Sequence, residues 1–361
     1  MNFLRSVKRL PSADELIARF PLSSAAECRV ADDREEVRAI LSGADPRFLL
    51  VVGPCSAWPD EAVLEYAQRL RVLERAVRDA LKLVLRVYIQ KPRTARGWTG
   101  PVNQPDPFAP ADIEAGMFYC RRMMVSAVEM GLAIGDEALF TNNARGFAEL
   151  LTWVAIGARS AEDQEHRIWA SGMGAPVGMK NPTSGSIAVG VHSVLAAQSP
   201  HVAVFEGCQV ETCGNPHAHL VLRGGADGAN YHLDDLFLAQ RLLREERIQN
   251  AALLIDASHD NCRIDGRKEP EAQADVLRQV LGNLRARPEL RPLVRGFLLE
   301  SFLLGGSQCL ERCTSASIER GGLSITDPCL SWERTEALIL DLAEEVRAGM
   351  VEGRERLRLS G

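Results

Sequence analysis

The chain has 361 residues, of which 46% are hydrophobic and 25% are charged, and its formal net charge is -6. These values are typical of a soluble globular protein and argue against a dedicated nucleic-acid-binding protein, which would carry a general excess of positive charge. No apolar run is long enough to span a membrane, and the first ten residues lack the apolar stretch of a signal peptide. We therefore expect a cytoplasmic protein that binds neither nucleic acid nor a membrane.

The nine cysteines are odd in number and scattered through the chain, which favours free thiols in a reducing compartment. Two close pairs, Cys208 with Cys213 and Cys309 with Cys313, lack the two-residue spacing that is common in zinc sites.

Short apolar segments alternate with segments of helical periodicity along most of the chain. Residues 1–45 are polar and are predicted to form a helical N-terminal extension, with Ser12 as an N-cap, before a catalytic domain over residues 46–361. Eight strands are predicted over residues 48–52, 83–89, 132–135, 153–157, 176–180, 219–222, 253–257 and 294–299. Helices are predicted over residues 61–81, 113–130, 146–151, 162–171, 186–197, 233–248, 271–284 and 333–351. A β-hairpin over residues 202–205 and 209–212 is predicted before the sixth strand.

This alternation predicts an α/β protein in which parallel strands are joined by right-handed helical crossovers. Eight such repeats that close on themselves make a (β/α)8 barrel, also called a TIM barrel. An open, doubly wound sheet is the alternative. It is disfavoured because no Gly-x-Gly-x-x-Gly turn follows the first strand.

The predicted strand ends carry a cluster of cations, although the chain is acidic overall. In a barrel the residues that act chemically lie at the carboxyl ends of the strands. Guanidinium groups bind phosphate and carboxylate with paired hydrogen bonds, and lysine adds a point charge. A ligand with both groups, such as phosphoenolpyruvate, would use five cations better than a single phosphate would. The alternative is that some of these cations form ion pairs with nearby acids such as Asp163 or Asp227. The five are Arg86, Lys91, Arg159, Lys180 and Arg223.

A second set at the strand ends offers sulfur, nitrogen and oxygen donors to a divalent transition metal. Its members are Cys55, His259, Glu300 and Asp327. The alternatives are an inert buried thiol, a hydrogen-bonded loop histidine and a buried ion pair. Because these residues lie far apart in the chain, their spacing does not test the set.

Seven short motifs resemble those of the type I 3-deoxy-D-arabino-heptulosonate 7-phosphate (DAHP) synthases, in register from about residue 12 to 350. They are Gly53-Pro54-Cys55-Ser56, Lys91-Pro92-Arg93-Thr94, Gly157-Ala158-Arg159, Pro176-Val177-Gly178-Met179-Lys180-Asn181, Leu222-Arg223-Gly224-Gly225, Ser258-His259 and Ser324-Ile325-Thr326-Asp327. The second motif discriminates, because the related 3-deoxy-octulosonate 8-phosphate synthases have Lys-Ala-Asn-Arg-Ser there.

The resemblance implies a metal-dependent, aldol-type condensation of phosphoenolpyruvate with erythrose 4-phosphate, the first step of the shikimate pathway to the aromatic amino acids. It implies a homodimer or homotetramer and a divalent Mn, Co, Fe or Zn ion. It assigns the metal to Cys55, His259, Glu300 and Asp327. It assigns phosphoenolpyruvate to Arg86, Lys91, Gly157, Ala158, Arg159, Lys180 and Arg223. It assigns erythrose 4-phosphate to Pro92, Arg93, Thr94 and Asp327, and catalysis to Lys91, Glu137 and His259.

Three positions depart from the family pattern, and each replaces a polar or charged residue. They are Trp58, Phe302 and Leu323. We expect these three positions to lie around the aldose end of the site. A paralogue of secondary metabolism that uses a modified acceptor aldehyde is therefore an alternative. A non-catalytic sensor of phosphate ligands on the same barrel is a further alternative. It predicts the loss of a metal ligand, whereas all four candidates are present.

Overall fold

The computed structural model describes residues 3, 5–93, 96–139, 145–205 and 207–359, with side chains described up to residue 351. Thr94, which the resemblance assigns to erythrose 4-phosphate, lies outside these residues. In the described ranges no helix is both long enough and apolar enough to cross a lipid bilayer. All nine cysteines fall within these ranges and are free thiols, as predicted.

Two helices precede the first strand, α1 (Ala13–Arg19) and α2 (Ser24–Ser42). Ser12 begins α1 as predicted: its hydroxyl accepts from the Glu15 amide, and the Glu15 carboxylate accepts from the Ser12 amide. Gly43 ends α2 with a φ of +84°, a left-handed conformation that costs glycine little. The helical character of the N-terminal segment is therefore observed, and the domain boundary after residue 45 stays a prediction.

The strands of the described chain are β1 (Phe48–Gly53), β2 (Leu81–Arg86), β3 (Ile134–Glu137), β4 (Trp153–Ile156), β5 (Val177–Lys180), β6 (Val202–Phe205), β7 (Cys208–Glu211), β8 (His219–Leu222), β9 (Leu253–Asp256), β10 (Arg263–Ile264), β11 (Arg267–Lys268) and β12 (Val294–Glu300). Eight of these, all parallel, close a barrel in the order β1-β2-β3-β4-β5-β8-β9-β12. Closure pairs β12 with β1, and Glu300 lies opposite Gly53. The predicted (β/α)8 barrel is confirmed.

The remaining helices are α3 (Asp60–Val77), α4 (Ile113–Glu129), α5 (Gln164–Gly172), α6 (Ile187–Gln198), α7 (Leu233–Glu245), α8 (Ala272–Ala286) and α9 (Trp332–Leu359). Strands β6 and β7 form the predicted antiparallel hairpin before β8, the sixth strand of the barrel. The small antiparallel pair β10–β11 was not predicted.

No α-helix is described between β3 and β4, so the helix predicted over residues 146–151 was wrong. The described residues there hold one 3-10 turn, Ala148–Leu150. Six residues are few for an α-helix to nucleate. Arg34 of α2 instead donates to the carbonyl oxygens of Ala148 and Leu151, both at 2.8 Å, and so holds the turn from outside.

Five barrel strands end on a charged residue, although the strands are buried almost throughout. Parallel strands covered by helices are apolar on both faces, so a charge at the last position of a strand needs a local reason. Because the carboxyl ends of parallel strands share one face of the barrel, these five charges gather there. They are Arg86, Glu137, Lys180, Asp256 and Glu300, at the ends of β2, β3, β5, β9 and β12.

Candidate active site

A cavity of about 510 Å³ lies at the carboxyl ends of the strands. Two carboxylates, Glu137 and Asp327, and eight Lys and Arg side chains line it, in a chain whose net charge is -6. A concentration of cations at one concave site raises the local concentration of anionic ligands. The eight are Lys91, Arg93, Arg96, Arg159, Lys180, Arg223, Arg263 and Lys268.

Most of the predicted site residues line this cavity, namely Lys91, Pro92, Arg93, Glu137, Ala158, Arg159, Lys180, Arg223, His259 and Asp327. Four predicted site residues within the described ranges are not among the described lining residues: Cys55, Arg86, Gly157 and Glu300. The side chains of Cys55, Arg86 and Glu300 are at most 1% exposed. Sequence reasoning missed the lining residues Arg96, Arg263, Lys268 and Thr326. Arg263 and Lys268 come from the unpredicted β10–β11 pair, whose two-residue strands leave no periodic signal.

Three of the four candidate metal ligands lie together. The Cys55 sulfur and carboxylate oxygens of Glu300 and Asp327 are all within 4.8 Å of one another. The fourth, His259, adjoins them, with Nε2 3.8 Å from Glu300 Oε1. The pairing of β1 with β12 explains why Cys55 lies near Glu300, because it places the turn after Gly53 beside the end of β12.

Asp256 holds the His259 ring. Its Oδ2 lies 2.9 Å from His259 Nδ1, and its Oδ1 accepts from Ser258 Oγ at 2.6 Å. Burial lowers the pKa of His259 to about 4, although Asp256 and Glu300 act to raise it. The imidazole is therefore neutral at pH 7. Its Nδ1 also lies 2.8 Å from Ser258 Oγ, so a proton on Nδ1 faces Ser258 and Asp256 and leaves Nε2 unprotonated, the arrangement found in metal-binding histidines. Sequence reasoning missed Asp256.

The two carboxylates of the cluster are ionised. Burial acts to raise the pKa of Glu300, but the Arg86 guanidinium outweighs it and the pKa is lowered. Burial opposes ionisation of Asp327 as well, yet Lys268 and Lys91 hold the pKa of that carboxyl well below its usual value. Burial raises the pKa of the Cys55 thiol. Two carboxylates, a thiol and a neutral imidazole make a donor set that fits a divalent transition metal.

Arg86 has no exposed side-chain surface and lies beneath the cluster. It donates to Glu300 Oε1 at 2.7 Å and to the carbonyl oxygens of Pro54 and Cys55. Its Nη1 has no hydrogen-bond partner among the described residues. Arg86 therefore holds the Glu300 carboxylate in place, while its Nη1 group is left without an acceptor among the described residues.

Tyr88 places its ring against three of the predicted cations. The ring centroid is 3.8 Å from Arg86 Cζ and 5.8 Å from both Lys91 Nζ and Lys180 Nζ. An aromatic face attracts cations at these distances. The ring therefore offsets part of the repulsion between three like charges that are gathered at one site.

Glu137 is fixed by its neighbours in the barrel. A Cβ atom at Gly157 would lie 1.9 Å from Glu137 Oε1, so glycine is required at position 157 for this carboxylate to keep its place. Asp136 Oδ1 accepts from the amides of Glu137 and Ile89, at 2.8 and 3.2 Å. These bonds tie the end of β3 to the segment that leads to Lys91.

None of the three departures from the family pattern is among the described lining residues of the cavity. Phe302 is fully buried against Tyr66, with ring centroids 6.3 Å apart. Trp58 packs in a cluster with Trp98 and donates to the Pro105 carbonyl oxygen at 2.9 Å. Leu323 is half-buried. The expectation that these changes lie around the aldose end of the site stays a prediction, because Thr94 lies outside the described residues.

Residues 22–339 match the family model described as DAHP synthetase I family. The chain belongs to the DAHP synthetase I family. It is 39% identical over 342 residues to the Tyr-sensitive phospho-2-dehydro-3-deoxyheptonate aldolase of Salmonella typhimurium, with 93% of each chain covered. It is also 39% identical over 350 residues to the phospho-2-dehydro-3-deoxyheptonate aldolase of Corynebacterium glutamicum, covering 94% of this chain and 92% of that one.

A solved structure shares the barrel. The phospho-2-dehydro-3-deoxyheptonate aldolase from Francisella tularensis SCHU S4 superposes with a TM-score of 0.88 at 33% identity, covering 95% of this chain and 98% of that chain. The predicted family is therefore confirmed. The alternatives of a modified acceptor or a phosphate sensor are not favoured.

Proposed function

We propose that this chain condenses phosphoenolpyruvate with erythrose 4-phosphate to give DAHP and inorganic phosphate, the entry step to the aromatic amino acids. The observation that carries the proposal is the cationic cavity beside the Cys55, Glu300 and Asp327 group, at the carboxyl ends of a barrel of this family. Both substrates are phosphorylated, and one also carries a carboxylate, which suits eight cations.

Phosphoenolpyruvate would bind between the cations of β2, β5 and the loops after β4 and β8, together with the backbone of Gly157 and Ala158. Its predicted side-chain ligands are Lys91, Arg159, Lys180 and Arg223, with Arg86 acting from below. Erythrose 4-phosphate would lie toward Pro92, Arg93 and Thr94, with Asp327 near its aldehyde.

Cys55, His259, Glu300 and Asp327 would hold a divalent Mn, Co, Fe or Zn ion, all of which accept such mixed donors. When bound, the ion supplies Lewis-acid polarisation of the acceptor aldehyde. The chain contributes the ionised carboxylates and the neutral imidazole described above.

Side chains that line the cavity would donate the proton and orient the water that the reaction needs. Carbon 3 of phosphoenolpyruvate attacks the aldehyde carbon while water adds to carbon 2, and phosphate leaves with cleavage of the C–O bond. Lys91 would protonate the new alkoxide, and Glu137 would orient the water. Burial acts to lower the pKa of Lys91, but the carboxylate of Glu300 counters it and the pKa is raised, so Lys91 carries the proton that it would donate.

The deciding experiment follows phosphoenolpyruvate consumption by the purified protein with erythrose 4-phosphate, with and without EDTA and added Mn²⁺. We expect turnover that requires erythrose 4-phosphate, is lost on chelation and returns with Mn²⁺. Arabinose 5-phosphate is the control aldose and should give little turnover. Chelation-resistant turnover, or a preference for arabinose 5-phosphate, would contradict the proposal.

Tyr88→Leu should weaken phosphoenolpyruvate binding about 10-fold, because the ring that holds the three cations in position is lost and the cations are no longer pre-organised for the ligand. Tyr88→Phe is the matched control, since it keeps the ring. Calorimetric titration with phosphoenolpyruvate measures both dissociation constants. Equal weakening in the two variants would assign the effect to the hydroxyl rather than to the ring.

We also propose that the enzyme is a cytoplasmic homodimer or homotetramer. Supporting self-association, the β6–β7 hairpin presents Val202 and Val204 at 64% and 80% exposure. Exposed apolar side chains that adjoin one another are typical of contact surfaces.

A further inference from the structure

Glu300, the last residue of β12, has no partner in the neighbouring strand β9. The pairing of β12 with β9 ends at Leu298 opposite Asp256. The chain after β9 then turns into the 3-10 turn His259–Cys262 and leaves the sheet. The Glu300 carbonyl oxygen accepts from the Leu330 amide at 2.9 Å, but the Glu300 amide faces this gap, inside the protein, where an unpaired backbone group is costly.

Gln273, in the first turn of α8, fills the gap. The Glu300 amide donates to Gln273 Oε1 at 2.8 Å, and Gln273 Nε2 donates to the Glu300 carbonyl oxygen at 3.0 Å. The Gln273 side chain has no exposed surface. A carboxamide carries both a donor and an acceptor, so it can replace the residue that a neighbouring strand would have supplied.

The position of the Glu300 backbone determines where its carboxylate lies. Glu300 Oε1 accepts from Arg86 at 2.7 Å, lies 3.8 Å from His259 Nε2 and belongs to the cluster with Cys55 and Asp327. Ser301, the next residue, is held as well: its Oγ accepts from the Tyr66 hydroxyl at 3.0 Å and lies 2.5 Å from Thr335 Oγ1. The backbone that carries the Glu300 side chain is therefore held by Gln273 at Glu300 and by Tyr66 and Thr335 at Ser301.

We infer that Gln273 is a positioning residue of the metal site: through the Glu300 backbone it holds the carboxylate in place before the ion arrives. The inference rests on the proposed role of Glu300 as a ligand. Groups that orient metal ligands typically change metal affinity by 10- to 100-fold when they are removed.

Gln273→Met tests this, because methionine keeps the length of the side chain and removes both hydrogen bonds. We expect the Mn²⁺ dissociation constant, measured by competition with a chelating indicator, to rise about 10-fold. The matched control is Gln279→Met on the same helix, an exposed residue whose Nε2 lies 3.0 Å from His232 Nδ1. It should bind Mn²⁺ as the unmodified enzyme does.

A purely structural role would lower the melting temperatures of the metal-free and Mn²⁺-loaded forms equally and leave the dissociation constant unchanged, which would overturn the inference. Failure of the unmodified enzyme to bind Mn²⁺ would count against the proposed function instead. Should Gln273→Met not fold, hydrogen exchange on the unmodified, metal-free enzyme decides. Slow exchange of the Glu300 amide, at the rate of the barrel strands, is expected, and fast exchange would overturn the inference.

Discussion

Glu300→Gln is expected to weaken Mn²⁺ binding by at least roughly 100-fold and to lower the free energy of unfolding by about 3–5 kcal/mol. The carboxylate is both a proposed metal ligand and the counter-ion of Arg86, at 2.7 Å, and both side chains are almost fully buried. The neutral amide leaves the guanidinium as an uncompensated charge in the interior, which is the costly way to break a buried pair.

The matched control is Glu74→Gln. Glu74 is also a mostly buried acid, 9% exposed, but it pairs with Arg71 on the same helix and is not among the described lining residues of the cavity. Glu74→Gln should lower the free energy of unfolding by about 1 kcal/mol or less and leave the Mn²⁺ affinity unchanged. Urea unfolding and metal titration measure the two quantities. Mn²⁺ binding by Glu300→Gln at the original affinity would remove Glu300 from the ligand set.

Lys91→Met should lower kcat by about 10²- to 10⁴-fold, the usual range for removal of a general acid. Lys91 Nζ donates to the Cys55 carbonyl oxygen at 2.7 Å and lies 3.1 Å from the Cys55 sulfur, so its ammonium faces the proposed metal site from the cavity. Binding of phosphoenolpyruvate should weaken far less, since other cations line the same cavity.

Arg96→Met separates the role of Lys91 from the loss of one positive charge, because Arg96 lines the cavity from an exposed position. It should change kcat by less than about 10-fold. The comparison needs steady-state kcat together with a direct phosphoenolpyruvate titration. An unchanged kcat in Lys91→Met, or equal losses in the two variants, would rule out Lys91 as the proton donor.

The barrel was predictable because its local signals agree along the chain. Strands such as residues 219–222 were predicted at their observed bounds, since a short apolar run between turn residues has few other interpretations. The helix expected over residues 146–151 failed where a tertiary contact decided the outcome. Arg34, distant in sequence, holds that segment as one turn, and no local pattern records such a contact.

The candidate site was predictable to the extent that its residues lie at strand ends or match motifs. Arg86 was expected among the cations around phosphoenolpyruvate, yet its contacts are with Glu300 and two backbone carbonyls beneath the cavity. Asp256 ends an apolar strand and Gln273 lies on an amphipathic helix, so neither stands out in the sequence. Their importance follows from partners that only the folded chain brings near.

The closure of the barrel between β1 and β12 has a consequence for synthesis of the protein. Arg86 and Glu300 are 214 residues apart in the chain, so their pairing is among the most non-local contacts of the fold. Non-local contacts form late, after a large loss of chain entropy. We therefore expect a nascent chain on the ribosome to carry Cys55 as an exposed thiol until the eighth barrel strand has emerged. Release of the chain before residue 300 is expected to leave this cysteine open to oxidation and the barrel with two unpaired edges.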